Sequence, residues 1–218
     1  MTQFEQLRAR MVDNQLRTSG VTEWALLAEM GKLPRERFVP ADRQSVAYID
    51  DIHWLGQGPE RRFMMAPATL AKLLQLAELS DDDAVLDIGA GTGYGTAVMA
   101  GLAASVTGLE ANAELAKIAS RNLEEIGIDN ATIIAGDISW IGRGKFDVIV
   151  VQGALDSVPD AMLAALNDGG RLIALIRTGG VAVANVFVKS GKSITARGEF
   201  NATLPLLDQA QPDVEFVF

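Results

Sequence analysis

The residues best suited to chemistry lie in one short turn and at two points downstream of it. Asp87-Ile88-Gly89-Ala90-Gly91-Thr92-Gly93 sets a carboxylate two residues ahead of three alternating glycines. Glycine lets a chain turn sharply and lets a ligand approach the backbone with no Cβ in the way. Glu110 follows 23 residues after Asp87, and Asp137 sits in Gly136-Asp137-Ile138. A carboxylate at Glu110 can accept hydrogen bonds from both hydroxyls of a ribose. One at Asp137 can accept from an adenine amino group, with Ile138 on the ring face, or it can simply cap a turn. Asp87 would face a cationic amino-acid end. The dinucleotide fingerprint G-x-G-x-x-G requires glycine at position 94, where Tyr94 stands, so a pyrophosphate fits poorly. S-adenosylmethionine, which carries an ammonium and a sulfonium but no phosphate, suits a glycine-lined acidic turn.

These residues must be held by strands. After Ser80-Asp81-Asp82-Asp83, short apolar runs alternate with helical stretches. The pattern predicts strands at Ala84–Ile88, Ser105–Leu109, Ala131–Ala135, Phe146–Val151 and Arg171–Ile176, with helices at Gly95–Leu102, Ala113–Ile126 and Pro159–Leu166. Such alternation is the mark of βαβ units and a mostly parallel, doubly wound α/β sheet. In these sheets a ligand sits beyond the carboxyl ends of the strands, where strand order reverses. Val181–Val188, Ser193–Gly198 and Val214–Phe218 predict antiparallel strands finishing the sheet. Upstream, Phe4–Arg17 reads as a helix ended by Thr18-Ser19-Gly20. A second helix runs to Lys32 with Thr22 as its cap, and a third starts near Pro67. The division expected is a helical extension and loop over residues 1–67 and a ligand-binding domain over 68–218.

Composition narrows the function classes. A net charge of −9 argues against nucleic acid as the main partner, which would need cations to displace counterions. There is no cysteine, so thiolate nucleophiles and thiolate metal sites are excluded. The aspartates at 81–83 read as a solvated loop rather than a metal site. No window approaches the roughly 20 apolar residues of a membrane span. The start of the chain lacks the basic and apolar regions of a secretory signal. A cytoplasmic protein with no membrane association is the expectation.

The turn Val85–Tyr94 resembles the cofactor motif of class I S-adenosylmethionine-dependent methyltransferases. Other segments narrow the likeness. Arg10-Met11-Val12-Asp13-Asn14-Gln15-Leu16-Arg17-Thr18-Ser19-Gly20-Val21, Leu33–Pro40 and Ala47-Tyr48-Ile49-Asp50 resemble the opening of protein-L-isoaspartate O-methyltransferases. Phe146–Val151 and Leu166–Leu172 are similar to that family's later strands. The likeness spans roughly residues 8–207. It implies the Rossmann-like fold, S-adenosylmethionine bound by Asp87, Gly89, Ala90, Gly91, Gly93, Glu110, Asp137 and Ile138, and methyl transfer to a carboxylate of a damaged protein or to another acceptor.

One segment departs from that family. Its members carry Gly-His-Gly-Gln-Thr-Ile-Ser-Gln-Pro before the helix that precedes the first sheet strand. Here the stretch is Gly56-Gln57-Gly58-Pro59-Glu60-Arg61-Arg62-Phe63-Met64-Met65-Ala66-Pro67, and Met65 falls on the serine. Methyl transfer to a carboxylate needs no general base, because the nucleophile is ionised at neutral pH (pKa about 4). What the site must do is orient, which can contribute about 7–11 kcal/mol. Arg61 and Arg62 could clamp an acceptor carboxylate, or be solvated loop residues. Phe63, Met64 and Met65 could line a pocket for a more apolar acceptor, or belong to the core. The altered loop predicts weak or absent turnover on an isoaspartyl peptide, and it leaves open a non-catalytic homologue that keeps the cofactor pocket. His53, the single histidine, reads as structural. No catalytic residue is assigned.

Overall fold

The computed structural model describes residues 2–58 and 61–207. Its first helix, α1 (Gln3–Met11), starts at a capping box in which Thr2 and Glu5 satisfy each other's backbone N–H groups. The helical path continues to position 19 but changes pitch, through a π turn at Val12–Leu16 and a 3-10 turn at Arg17–Ser19. Gly20 ends it at φ 86°. In α2 (Trp24–Lys32) the cap is Glu23, which accepts from the N–H groups of Ala25 and Leu26. Thr22 is not the cap: its own N–H is held by Gln75.

Two three-residue strands then flank the departing loop. β1 (His53–Leu55) pairs antiparallel with β2 (Arg62–Met64), His53 opposite Met64 and Leu55 opposite Arg62. The sequence gives no sign of them, because three residues are too few to display a period of two. Pro67 opens α3 (Pro67–Ala77) at its first turn.

The main sheet is built from β3 (Ala84–Ile88), β4 (Ser105–Glu110), β5 (Ala131–Ala135), β6 (Phe146–Leu155), β7 (Leu166–Thr178), β8 (Val181–Ser190) and β9 (Ser193–Ala202). Their spatial order is β5-β4-β3-β6-β7-β8-β9. The first five positions are parallel, and β7, β8 and β9 pair antiparallel. The helices between them are α4 (Tyr94–Ala100), α5 (Ala113–Glu125) and α6 (Asp160–Ala164). The predicted helix at Pro159–Leu166 is shorter than expected because Leu166 already belongs to β7, pairing with Phe146. The predicted strand Val214–Phe218 lies outside the described residues.

Alternate residues of the central strands feed two apolar layers. Val85, Val106, Val148 and Val150 face one layer, with Leu70, Leu73 and Leu74 of α3, Val98 of α4 and Leu115 of α5. Met11, Leu16, Leu26 and Met30 join the same layer, so the N-terminal helices share the core of the sheet. Leu86, Ile88, Ile149 and Val151 face the other layer, with Ile141 and Met162. Both faces are covered, which is why these strands read as continuous apolar runs. Asp83 corrects the solvated-loop reading in part: it turns inward, accepts from Ser80 N–H and pairs with Arg171 at 2.8 Å. Among the described residues no helix is long and apolar enough to cross a membrane.

Candidate functional site

The chain runs from β3 outward to β4 and β5, then returns to lay β6 against the other side of β3. The reversal falls between β3 and β6, and the glycine turn leaves β3 at that point. Gly89, Gly91 and Gly93 have φ of 84°, 58° and 93°, the left-handed region in which a side chain is strained. A Cβ on Gly89 would stand 2.5 Å from Leu207 Cδ1, and one on Gly91 3.0 Å from Leu55 Cδ1. The turn is therefore glycine for two reasons, backbone conformation and close approach.

Glu110 closes β4 with no exposed surface. One of its oxygens accepts Gly91 N–H and the other Asn112 N–H, each at 2.8 Å. A single carboxylate thus fastens the glycine turn to the start of α5, where Asn112 caps the helix. Beyond the end of β5 Asp137 is exposed and caps the turn Ile138–Arg143 by accepting Ser139 N–H at 2.8 Å, and hydrogen bonding by the Ser139 side chain, then by its N–H, holds the Asp137 carboxyl below its usual range. Asp137 and Ile138 stand beside Gly89, as nucleoside recognition would require.

Asp87 lies beneath the turn rather than on its surface, wholly buried at the end of β3. Thr96 Oγ1 donates to it at 2.6 Å, and Gln152 Nε2 reaches its two oxygens at 2.7 and 2.8 Å. Burial raises its pKa from 3.8 to about 6, against the lowering effect of those hydrogen bonds, and the charge of Glu110 adds to the rise. Thr96 on α4 and Gln152 on β6 were not singled out from sequence. Gln152 does leave a trace there, as the first polar residue after Val148-Ile149-Val150-Val151.

The two arginines of the departing loop part company. The Arg61 guanidinium lies over the Trp54 ring, 4.4 Å from its centre. Arg62 turns the other way, its Nε 3.4 Å from Glu110 Oε1 and a terminal nitrogen donating to the Leu207 carbonyl. Phe63, Met64 and Met65 are buried in the main core. The Met65 carbonyl accepts from Arg35 at 2.6 Å; Arg35 also donates to Ala47 O and lies 4.7 Å over the Tyr94 ring. Burial pushes the Arg35 guanidinium pKa down and the Tyr94 phenol up. His53 is fully buried in β1, and burial together with the Arg35 charge lowers its pKa, which suits a neutral structural imidazole.

The carboxylates and the bare backbone fit a nucleoside with an amino-acid tail. The cavity bounded by Arg62, Gly89, Asp137, Ile138 and Leu207 is about 20 Å³, where small-molecule sites span roughly 300–1,000 Å³.

Comparison with known proteins decides the family. The profile of the family "Protein-L-isoaspartate(D-aspartate) O-methyltransferase (PCMT)" matches residues 7–209. The chain belongs to this family. A protein-L-isoaspartate O-methyltransferase of Koribacter versatilis is 39% identical over 175 residues, covering 79% of this chain and 78% of that one. One from Gloeobacter violaceus is 38% identical over 170 residues, covering 77% and 82%. Among solved structures, a protein-L-isoaspartate O-methyltransferase superposes with TM-score 0.80 at 26% identity, over 91% of this chain and 65% of that one. A Plasmodium falciparum protein described as such an enzyme, solved with S-adenosyl-L-homocysteine, gives TM-score 0.79 over 95% and 99% of the two chains. At 21% identity the last likeness speaks to the fold alone.

Proposed function

We propose that this chain is an S-adenosylmethionine-dependent methyltransferase that esterifies an isoaspartyl carboxylate of damaged protein. The observation that carries the reading is Glu110: a buried carboxylate at the tip of β4, hooked to the glycine turn through Gly91 N–H, in a chain of the isoaspartate methyltransferase family. Its oxygens would accept the ribose hydroxyls, Asp137 the adenine amino group, and Ile138 the ring face. The charge of Asp87 favours an ammonium above the turn. The bare backbone of Gly89, Ala90, Gly91 and Gly93 would admit the amino-acid tail.

When bound, the donor supplies a methyl group on a cationic sulfur. A new O–CH3 bond then forms as the S–CH3 bond breaks, and the electron pair returns to sulfur to leave a neutral thioether. The acceptor carboxylate is already ionised at neutral pH, so the chain need not remove a proton. Its task is to orient the acceptor oxygen and exclude water.

Methyl-labelled donor with an isoaspartyl peptide tests the reading, the aspartyl peptide of the same sequence serving as control. The expected result is base-labile label in the isoaspartyl peptide alone, at a low rate because Met65 cannot donate the hydrogen bond a serine would. Label in neither peptide would overturn the proposed activity.

A further inference from the structure

The groove that the proposed function assigns to the methyl donor is held by two of the protein's own side chains. Glu110 has each of its oxygens engaged by a backbone N–H, and the remaining approach to Oε1 is taken by Arg62. A ribose hydroxyl that bonds Oε1 would need that same approach. The Arg62 guanidinium also donates to the carbonyl of Leu207, tying the β2 hairpin to the segment after β9. That segment is docked on β6 by two backbone hydrogen bonds, Ala154 N–H to Pro205 O at 3.0 Å and Leu207 N–H to Ala154 O at 2.9 Å. The Leu207 side chain lies on the bare faces of two glycines. Cβ atoms on Gly89 and Gly153 would stand 2.5 and 3.0 Å from Leu207 atoms. The glycines that would admit a ligand thus admit Leu207.

We propose that Arg62 and Leu207 form a self-plug, so that donor binding exchanges the Arg62–Glu110 ion pair for ribose–Glu110 hydrogen bonds and lifts Leu207 off Gly89. The inference rests on the donor reading above and adds a gate to it. Arg62 is a positioning residue in this account. It replaces the ligand at Glu110 in the closed state, and it does so from the segment in which this chain departs from its family. A ligand that must wait for an open fraction binds more weakly by that fraction. A partly buried ion pair of this kind supports a closed excess of about tenfold.

The test is calorimetric titration of S-adenosylhomocysteine into the wild-type chain, Arg62→Ala, Arg62→Lys and Leu207→Ala, each first shown to unfold cooperatively. The expected result is tighter binding by about tenfold for Arg62→Ala and about threefold for Leu207→Ala. Arg62→Lys should fall nearer wild type, since an ammonium can face Glu110 but cannot bridge to Leu207 in the same fork. In stopped-flow mixing, the wild-type association rate should level off at high ligand concentration and the Arg62→Ala rate should not. Gain of affinity is the informative direction, because loss of a merely structural contact would leave affinity unchanged or weaken it. Equal or weaker binding by Arg62→Ala overturns the plug and leaves the donor reading standing. Binding by none of the four folded proteins overturns the donor reading and the plug with it.

Discussion

Replacing Asp87 by Asn should stabilise the unliganded protein, and by an amount that depends on pH. Asp87 is wholly buried, and its carboxyl titrates near 6 rather than 3.8. The folded state therefore holds its proton more tightly than the unfolded chain does. For an acid shifted in that direction, stability falls as pH rises between the two values and stays low above the higher one. The cost is about 0.5 kcal/mol at pH 4 and reaches about 3 kcal/mol above pH 7. An Asn side chain keeps one hydrogen bond to each partner: its oxygen can accept Gln152 Nε2 and its amide can donate to Thr96 Oγ1, which turns to accept, while the second Gln152 contact, at 2.8 Å, is lost. In a chain of this size about 3 kcal/mol corresponds to roughly 6–12 °C in Tm. Thermal unfolding of both proteins at pH 4 and pH 8 measures it. Asp87→Asn should melt several degrees higher at pH 8 and nearly with the wild type at pH 4. A gap of the same size at both pH values, or an Asn variant less stable at pH 8, would show that the buried Asp87 charge does not destabilise the fold.

Three further outcomes follow from the same geometry. Affinity for S-adenosylhomocysteine should rise with pH through about 6 and level above about 7, as Asp87 ionises below the ligand's ammonium; a flat titration between pH 5 and 8 counts against that pairing. Gly91→Val forces a β-branched residue to φ 58° with its Cβ 3.0 Å from Leu55, so it should cost about 2–4 kcal/mol in denaturant unfolding and abolish product binding. Met65→Ser exchanges a fully packed side chain for a small hydroxyl, so it should destabilise by about 2–4 kcal/mol and fail to raise methyl transfer, because the hairpin that presents position 65 is also altered.

Much of the sheet was legible because its strands obey strong rules. Ala84–Ile88 and Ala131–Ala135 are apolar runs bounded by turn residues, and both fall where the pattern sets them. The glycine turn was equally open to reading, since positive φ at Gly89, Gly91 and Gly93 restricts the residue type. Less visible were features fixed by distant contacts. β1 and β2 exist because their pairing and the core beneath them override three residues of weak pattern. The direction of Arg62 is set by Glu110, 48 positions away, and by Leu207, which no local spacing announces. Asp87 is legible as a carboxylate beside glycines, and Gln152 as the polar residue that ends an apolar run, but no local spacing joins Thr96 and Gln152 to Asp87.

A methyl-donor site at Glu110 and the glycine turn differs from a dinucleotide site in the ligand it binds. Titration calorimetry of the wild-type chain and Glu110→Ala with S-adenosylhomocysteine, and separately with NAD, separates the two. The wild type should bind one equivalent of S-adenosylhomocysteine and Glu110→Ala none, with no heat from NAD. Saturable binding of NAD with none of S-adenosylhomocysteine would contradict the methyl-donor site.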